Sequence, residues 1–242
     1  MAVMNSLAKV DGFDNKAIEY DCGGEKVKLS PTIIKNYLVS GGGNVTDQEI
    51  VMFLNLCRYQ KLNPFLREAY LIKFGDQPAS IVVGKEVFTK RAEKIETCQG
   101  WKAGVVVLNK QGELIEREGT LTLPNETLVG GWAMVFKSNW KEPFKHTVSF
   151  DEYVGRKKDG SVNAQWTRMP ATMIRKVALM QALRDAFPDR YQGMYTPEEM
   201  GVDTPRETAP IDIQEPVKQP IKQPGPEIIE PEIVEETVDS IF

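Results

Sequence analysis

An α+β fold is predicted for this chain: an antiparallel sheet flanked by helices, with a disordered acidic tail at the C-terminus. Three observations point there. Helical periodicities bracket an unbroken run of strand-like segments between residues 102 and 150, the segregation of elements that marks this class. Turn signals at Lys110-Gln111-Gly112 and Pro124-Asn125 fall between those segments, as antiparallel neighbours require. Residues 203–242 then change composition, with ten Asp and Glu against three Lys and Arg and seven of the fifteen prolines. That stretch has too little apolar surface to offset the entropy of ordering, so disorder is expected. Its net of −7 within an overall −4 leaves residues 1–202 mildly basic at +3.

Along the chain, residues 1–30 read as a polar, glycine-containing extension. Ser30-Pro31 opens a short helix over residues 32–39, which Gly41-Gly42-Gly43 breaks. Thr46-x-x-Glu49 is a capping box for a helix whose inward residues include Ile50, Phe53, Leu54 and Cys57, and Asn63-Pro64 forces a turn after it. Residues 69–74 and 80–83 have the β-branched and aromatic content of strands, joined across Gly75-Asp76-Gln77-Pro78. Phe88, Ala92 and Ile95 recur at helical spacing within residues 85–96. Strands are expected at residues 102–109, 114–123, 129–137 and 144–150, and Val154 to Asn163 reads as a flexible basic loop. The domain predicted from these elements spans residues 31–202, between the extension and the tail.

Pro170 starts the last helix, where its missing N–H is no loss, and Phe187-Pro188 ends it. Met169, Met173, Val177, Met180, Leu183 and Phe187 fall on one arc, with Arg168 and Arg175 nearly opposite. Arg184 projects into the apolar arc. A cation there must be ion-paired, interfacial or bound to an anion.

Several chemistries lack their residues. Cys22, Cys57 and Cys98 are odd in number and widely spaced, and His146 is the only histidine, so neither a zinc cluster nor a Ser-His-Asp triad is expected. No stretch approaches the ~20 apolar residues of a membrane span, and residues 1–15 lack the pattern of a signal peptide, which places the expected protein in the cytoplasm. Gly84-Lys85 stands at a strand-to-helix junction, but the earlier glycine and the Ser/Thr of a phosphate-binding loop are missing, so ATP is not an expected cofactor. Glu116 and Glu118 share a strand face that could grip Mg²⁺, yet a solvated face balanced by Arg117 explains them better. No catalytic and no metal-binding residue is assigned.

Cations interleaved with aromatics are the stronger theme. Arg67 lies near Phe65 and Tyr70, Lys145 near Trp140, and Arg156, Lys157 and Lys158 precede Trp166 and Arg168. Single-stranded nucleic acid suits this mix, because cations follow the phosphates while flat rings meet bases; core tryptophans are the competing explanation.

Leu62-Asn63-Pro64-Phe65-Leu66-Arg67-Glu68-Ala69-Tyr70, then Ile81-Val82-Val83-Gly84, then Glu142-Pro143-Phe144-Lys145 occur in that order. Trp166-x-x-x-Pro170-x-x-Met173-x-Arg175 and Gln181-x-x-Arg184-x-Ala186-Phe187 follow. The series resembles the RecT/Redβ-type phage single-strand annealing proteins, in the Bet branch, from about residue 45 to 200. The resemblance implies an ATP-independent protein, not an enzyme, that coats single-stranded DNA and anneals it to its complement. It also implies a homo-oligomeric ring or helical filament beside a partner exonuclease in a bacterial host cell, with Mg²⁺ acting only through the DNA. Carried over by position, Arg67, Arg175, Lys176, Gln181 and Arg184 are the DNA-binding candidates, joined by Lys85, Lys90, Arg91, Lys145, Arg156, Lys157, Lys158, Trp166 and Arg168. The chain departs from those relatives that end in a folded helical domain. Its Asp239, Ile241 and Phe242 resemble instead the acidic, Phe-ended tips of bacterial single-stranded-DNA-binding proteins, which implies docking to a host replication or repair protein. The alternatives from other classes are a metal-dependent nuclease and a passive single-strand binder.

Overall fold

The computed structural model describes residues 16–202. Its first element is a hairpin of β1 (Ile18–Cys22) and β2 (Glu25–Leu29), turned by Gly23 and Gly24 at φ of 66° and 96°. Alternation along the pair sends Tyr20, Val27 and Leu29 inward, and the Tyr20 hydroxyl donates to the Leu62 carbonyl at 2.6 Å. α1 (Pro31–Ile33) passes into a π-helical turn at Ile34–Leu38 and then into β3 (Val39–Ser40).

α2 (Asp47–Gln60) opens on the predicted capping box: Thr46 Oγ1 accepts the Glu49 N–H at 3.3 Å, and Glu49 Oε2 accepts the Thr46 N–H at 2.7 Å. Glu49 also accepts from the buried Lys73 ammonium and from the Ala79 N–H, both at 2.8 Å. Those bonds, the Lys73 one foremost, hold the Glu49 carboxyl down at about 2. A 3₁₀ turn (Pro64–Leu66) follows Asn63, whose side chain accepts the Phe65 N–H. β4 (Ala69–Ile72) and β5 (Ser80–Val83) complete a three-stranded sheet ordered β3-β4-β5, parallel in the first pair and antiparallel in the second. α3 (Lys85–Glu93) leads from it to the larger sheet.

That sheet contains β6 (Cys98–Leu108), β7 (Leu114–Glu118), β8 (Thr127–Lys137) and β9 (Phe144–Ser149), ordered β7-β6-β8-β9 with every neighbour antiparallel. Short helices α4 (Phe150–Tyr153) and α5 (Ala164–Arg168) precede α6 (Pro170–Ala186), which packs against β6, β8 and β9. Met173, Val177, Met180 and Leu183 are buried as their arc predicts, but so are Ile174, Ala178 and Ala182. The helix therefore has no broad solvated face. Gly131 permits its approach to the sheet: a Cβ there would stand 2.6 Å from the Ile174 carbonyl oxygen. At the C-terminal end of α6, Lys137 Nζ donates to the Ala186 carbonyl at 2.8 Å, a cation where the helix dipole favours one.

The α+β class and the antiparallel meander match the sequence reading, and four particulars differ. Residues 18–29, read as extension, pack their hairpin into the core through Tyr20, Val27 and Leu29. The helix expected over residues 32–39 is shorter and gives way to a π turn and β3. The strand expected over 114–123 stops at Glu118, because Arg117 turns to pair with Glu126 and closes the following segment into a loop. α4 and α5 lie in stretches read as strand end and loop. The tail of residues 203–242, with its Asp239, Ile241 and Phe242 tip, falls outside the described residues, as do residues 1–15.

Candidate nucleic-acid interface

Residues 154–169 carry four cations, Arg156, Lys157, Lys158 and Arg168, against one carboxylate, Asp159. They form an ordered hairpin: the Lys157 N–H donates to the Ser161 carbonyl at 2.8 Å and the Gly160 N–H to the Lys157 carbonyl at 2.9 Å. Asp159 accepts the Ser161 hydroxyl at 2.6 Å and its N–H at 2.9 Å, and the Ser161 hydroxyl bond, first, holds that carboxyl below its usual range. At the base, the Asn163 N–H donates to the Gly155 carbonyl at 2.9 Å, while the Asn163 side chain caps α5 by accepting the Trp166 N–H at 3.0 Å. The loop read as flexible is thus tied at tip and base.

Trp166 was expected to touch DNA. It is 2% exposed, its ring edge-on to Phe150 with centroids 5.7 Å apart, and a Cβ on Gly155 would meet it at 2.8 Å. No face of the ring is open to a base. Trp166 anchors the hairpin from behind, while all four cations are exposed, and no salt bridge among the described residues takes up Lys157, Lys158 or Arg168.

The cations of α6 have the opposite surroundings. Arg175 Nε donates to the Ala103 carbonyl at 3.1 Å, and Lys176 pairs with Glu198 at 3.2 Å. Gln181 Oε1 lies 2.8 Å from His146 Nε2, with Asp185 Oδ2 3.5 Å from Nδ1. Arg184 makes a two-armed pair with Glu199 at 2.5 and 3.2 Å, donates to the Met194 carbonyl at 3.3 Å and stacks on Tyr195 at 4.6 Å. Of the three ways to satisfy a cation in the apolar arc, the fold uses the ion pair. Glu199 is in turn held by the Thr196 N–H at 2.9 Å, so residues 194–199 close back over the helix.

Around α3, Arg91 donates to Gln60 Oε1 at 2.7 Å and to the Arg190 carbonyl at 2.9 Å, and it also bonds the Gln60 carbonyl; burial lowers its acidity constant. Arg91 joins α2 to the segment after α6. Lys90 pairs with Glu68 at 3.4 Å, and Lys85 is the half-buried first residue of α3. Both Lys90 and Arg91 line a cleft of about 870 Å³ shared with Lys61, Lys94 and Arg190, none of which the sequence pattern singled out. Four acids, Asp21, Glu25, Glu68 and Asp189, line it as well, together with Tyr59, Leu66 and Ile95. A nearly balanced, partly apolar cleft is a poor track for phosphates. Arg67 takes the left-handed position, φ 59°, that ends the Pro64–Leu66 turn.

On the outer face of the four-stranded sheet, Lys145 pairs with Glu116 at 2.6 Å and Lys102 with Glu118 at 3.5 Å. The two glutamates weighed as Mg²⁺ ligands therefore face lysines, and among the described residues no three His, Cys, Asp or Glu side chains gather as ligands. No helix of the described residues is long and apolar enough to cross a membrane.

No curated protein sequence matches the chain. The RecT family model matches residues 26–212, most of the chain's length, so that its strands, basic hairpin and α6 all lie within the match. This chain belongs to the RecT family and is a RecT-type single-strand annealing protein.

Proposed function

We propose that the chain binds single-stranded DNA through the hairpin of Arg156, Lys157 and Lys158 with Arg168 beside it, and pairs that strand with its complement in phage-type recombination. The observation that carries this reading is the excess of exposed cations on a loop fixed by Asn163 and Trp166. Fixed ammonium and guanidinium groups draw in two phosphate backbones without touching base edges, which stay free to test complementarity at about 1.4 kcal/mol per stacked step. Neither acid–base chemistry nor ATP enters such a reaction, and Mg²⁺ acts only through the DNA. A role in the Bet branch, as a homo-oligomer beside an exonuclease in a bacterial cytoplasm, fits the same residues.

Two complementary fluorescent oligonucleotides, added in turn to the protein without ATP, test the reading when pairing and strand length are followed together. Faster pairing with intact strands is the expected result. Slower pairing would make the protein a passive binder, and Mg²⁺-dependent shortening would make it a nuclease.

A further inference from the structure

Two surfaces that the DNA-binding reading leaves unused fit each other. The first is the loop between Glu118 and Thr127, Gly-Thr-Leu-Thr-Leu-Pro-Asn-Glu, which has no cation and holds Leu121 and Leu123 in solvent at 64% and 44% exposure. Loose loops often expose leucine, but this one is clamped. Arg117 Nε donates to both oxygens of Glu126 at 3.0 and 3.2 Å, and Glu126 also accepts the Leu123 N–H at 3.0 Å. Its ends are fixed by the sheet, so the two leucines are presented in one arrangement at little ordering cost to a partner. Residues 113–126 carry four glutamates and one arginine, an acidic border to the apolar tip.

The second surface is the helical wall of the 870 Å³ cleft. Tyr59 and Leu66 are 72% and 50% exposed there, beside Ile95, and the cations of the cleft lie along this wall at Lys61, Lys90 and Lys94. No salt bridge among the described residues takes up Lys61 or Lys94. Apolar residues inside a cationic border match a leucine tip inside an acidic one.

We propose that the Leu121–Leu123 loop of one protomer docks in the Tyr59–Leu66 cleft of a second copy of this chain. The two patches are different, so the contact is heterologous and each protomer keeps one free patch of each kind. Repetition then builds a closed ring or an open helical array. The inference rests on different residues from the DNA-binding reading, so either can fail alone.

The test uses the full chain in two variants, Leu121→Asp/Leu123→Asp in the loop and Tyr59→Asp/Lys94→Glu in the cleft, with mass measured across concentration, with and without an oligonucleotide. Circular dichroism and the melting temperature establish that both variants fold. The wild type is expected to assemble and each variant alone to stay monomeric. Mixed, the two variants should form a 1:1 dimer that grows no further, because only one competent loop and one competent cleft remain between them. Variants that assemble like the wild type, a mixture that stays monomeric, or a wild type that stays monomeric in every condition would overturn the proposal. Loss of DNA affinity on substituting Lys157 and Lys158, with assembly intact, would leave it standing; unchanged affinity there would count against the DNA reading alone.

Discussion

The basic hairpin and α6 lie next to each other in the chain and carry similar cations, yet the fold puts them to opposite uses. In the hairpin, Arg156, Lys157, Lys158 and Arg168 are exposed on a loop held by Asn163 and Trp166. In α6, Lys176 and Arg184 are joined to Glu198 and Glu199, and Arg175 to the Ala103 carbonyl. The difference comes from the partners. A cation on a helix packed over a sheet must be satisfied within the protein, whereas one at a hairpin tip stays solvated until an anion arrives. Charge in a sequence is therefore a candidate for ligand binding only where the fold has not already spent it.

Four experiments sharpen or break that contrast. Trp166→Ala removes the ring behind the hairpin and should cost the most, about 3–5 kcal/mol by urea unfolding, with weakened DNA binding as the loop loosens. Undiminished stability would contradict its role as anchor. Arg184→Ala leaves Glu199 without its countercharge and should cost about 3 kcal/mol, the lower end for an orphaned buried charge because a fifth of the Arg184 side chain reaches solvent. Arg184→Ala/Glu199→Gln should recover part of that loss; a double variant as unstable as the sum of the singles would break the pairing argument.

Lys157→Ala/Lys158→Ala should alter stability by no more than about 0.5 kcal/mol, since the side chains are exposed and away from the core. Its effect should appear in DNA binding, where each lost phosphate contact lowers the slope of log K against log salt by roughly 0.7 for a single strand. The smallest effect is expected from acid, at a site outside both regions. Glu49 is held at about 2 against an ordinary 4.5 by Lys73, so its contribution is present above pH 4.5 and lost as pH falls toward 2. Unfolding followed from pH 5 to 2 should show a shallower acid limb in Glu49→Gln than in the wild type, and identical limbs would contradict the pairing.

Much of this arrangement was legible in the residues and some was not. The capping box at Thr46 and Glu49, the Asn63-Pro64 turn, the meander and the buried arc of α6 follow from local chemistry, and each is present. The β1–β2 hairpin was hidden because only Tyr20, Val27 and Leu29 carry its inward pattern among polar neighbours. Ile174, Ala178 and Ala182 made α6 buried on a second side, a matter of packing against β6, β8 and β9 that periodicity within one helix does not encode. The partners of Arg91, Arg175 and Arg184 lie 10 to 99 residues away and include main-chain carbonyls, which have no sequence signature. Trp166 shows the same limit, since an aromatic beside cations looks alike whether it faces a base or the core. Family membership came from the spacing of many weak pieces, and agrees with the RecT match over residues 26–212.

The most direct measurement is the salt dependence of oligonucleotide affinity for the variant Arg156→Ala/Lys157→Ala/Lys158→Ala/Arg168→Ala beside the wild type, with both melting temperatures recorded. If the displayed cations meet the backbone, the slope should fall by roughly 3, four contacts at about 0.7 each, while the melting temperature holds. An unchanged slope in a folded variant would show that DNA is bound elsewhere and that the contrast between the two basic regions does not govern function.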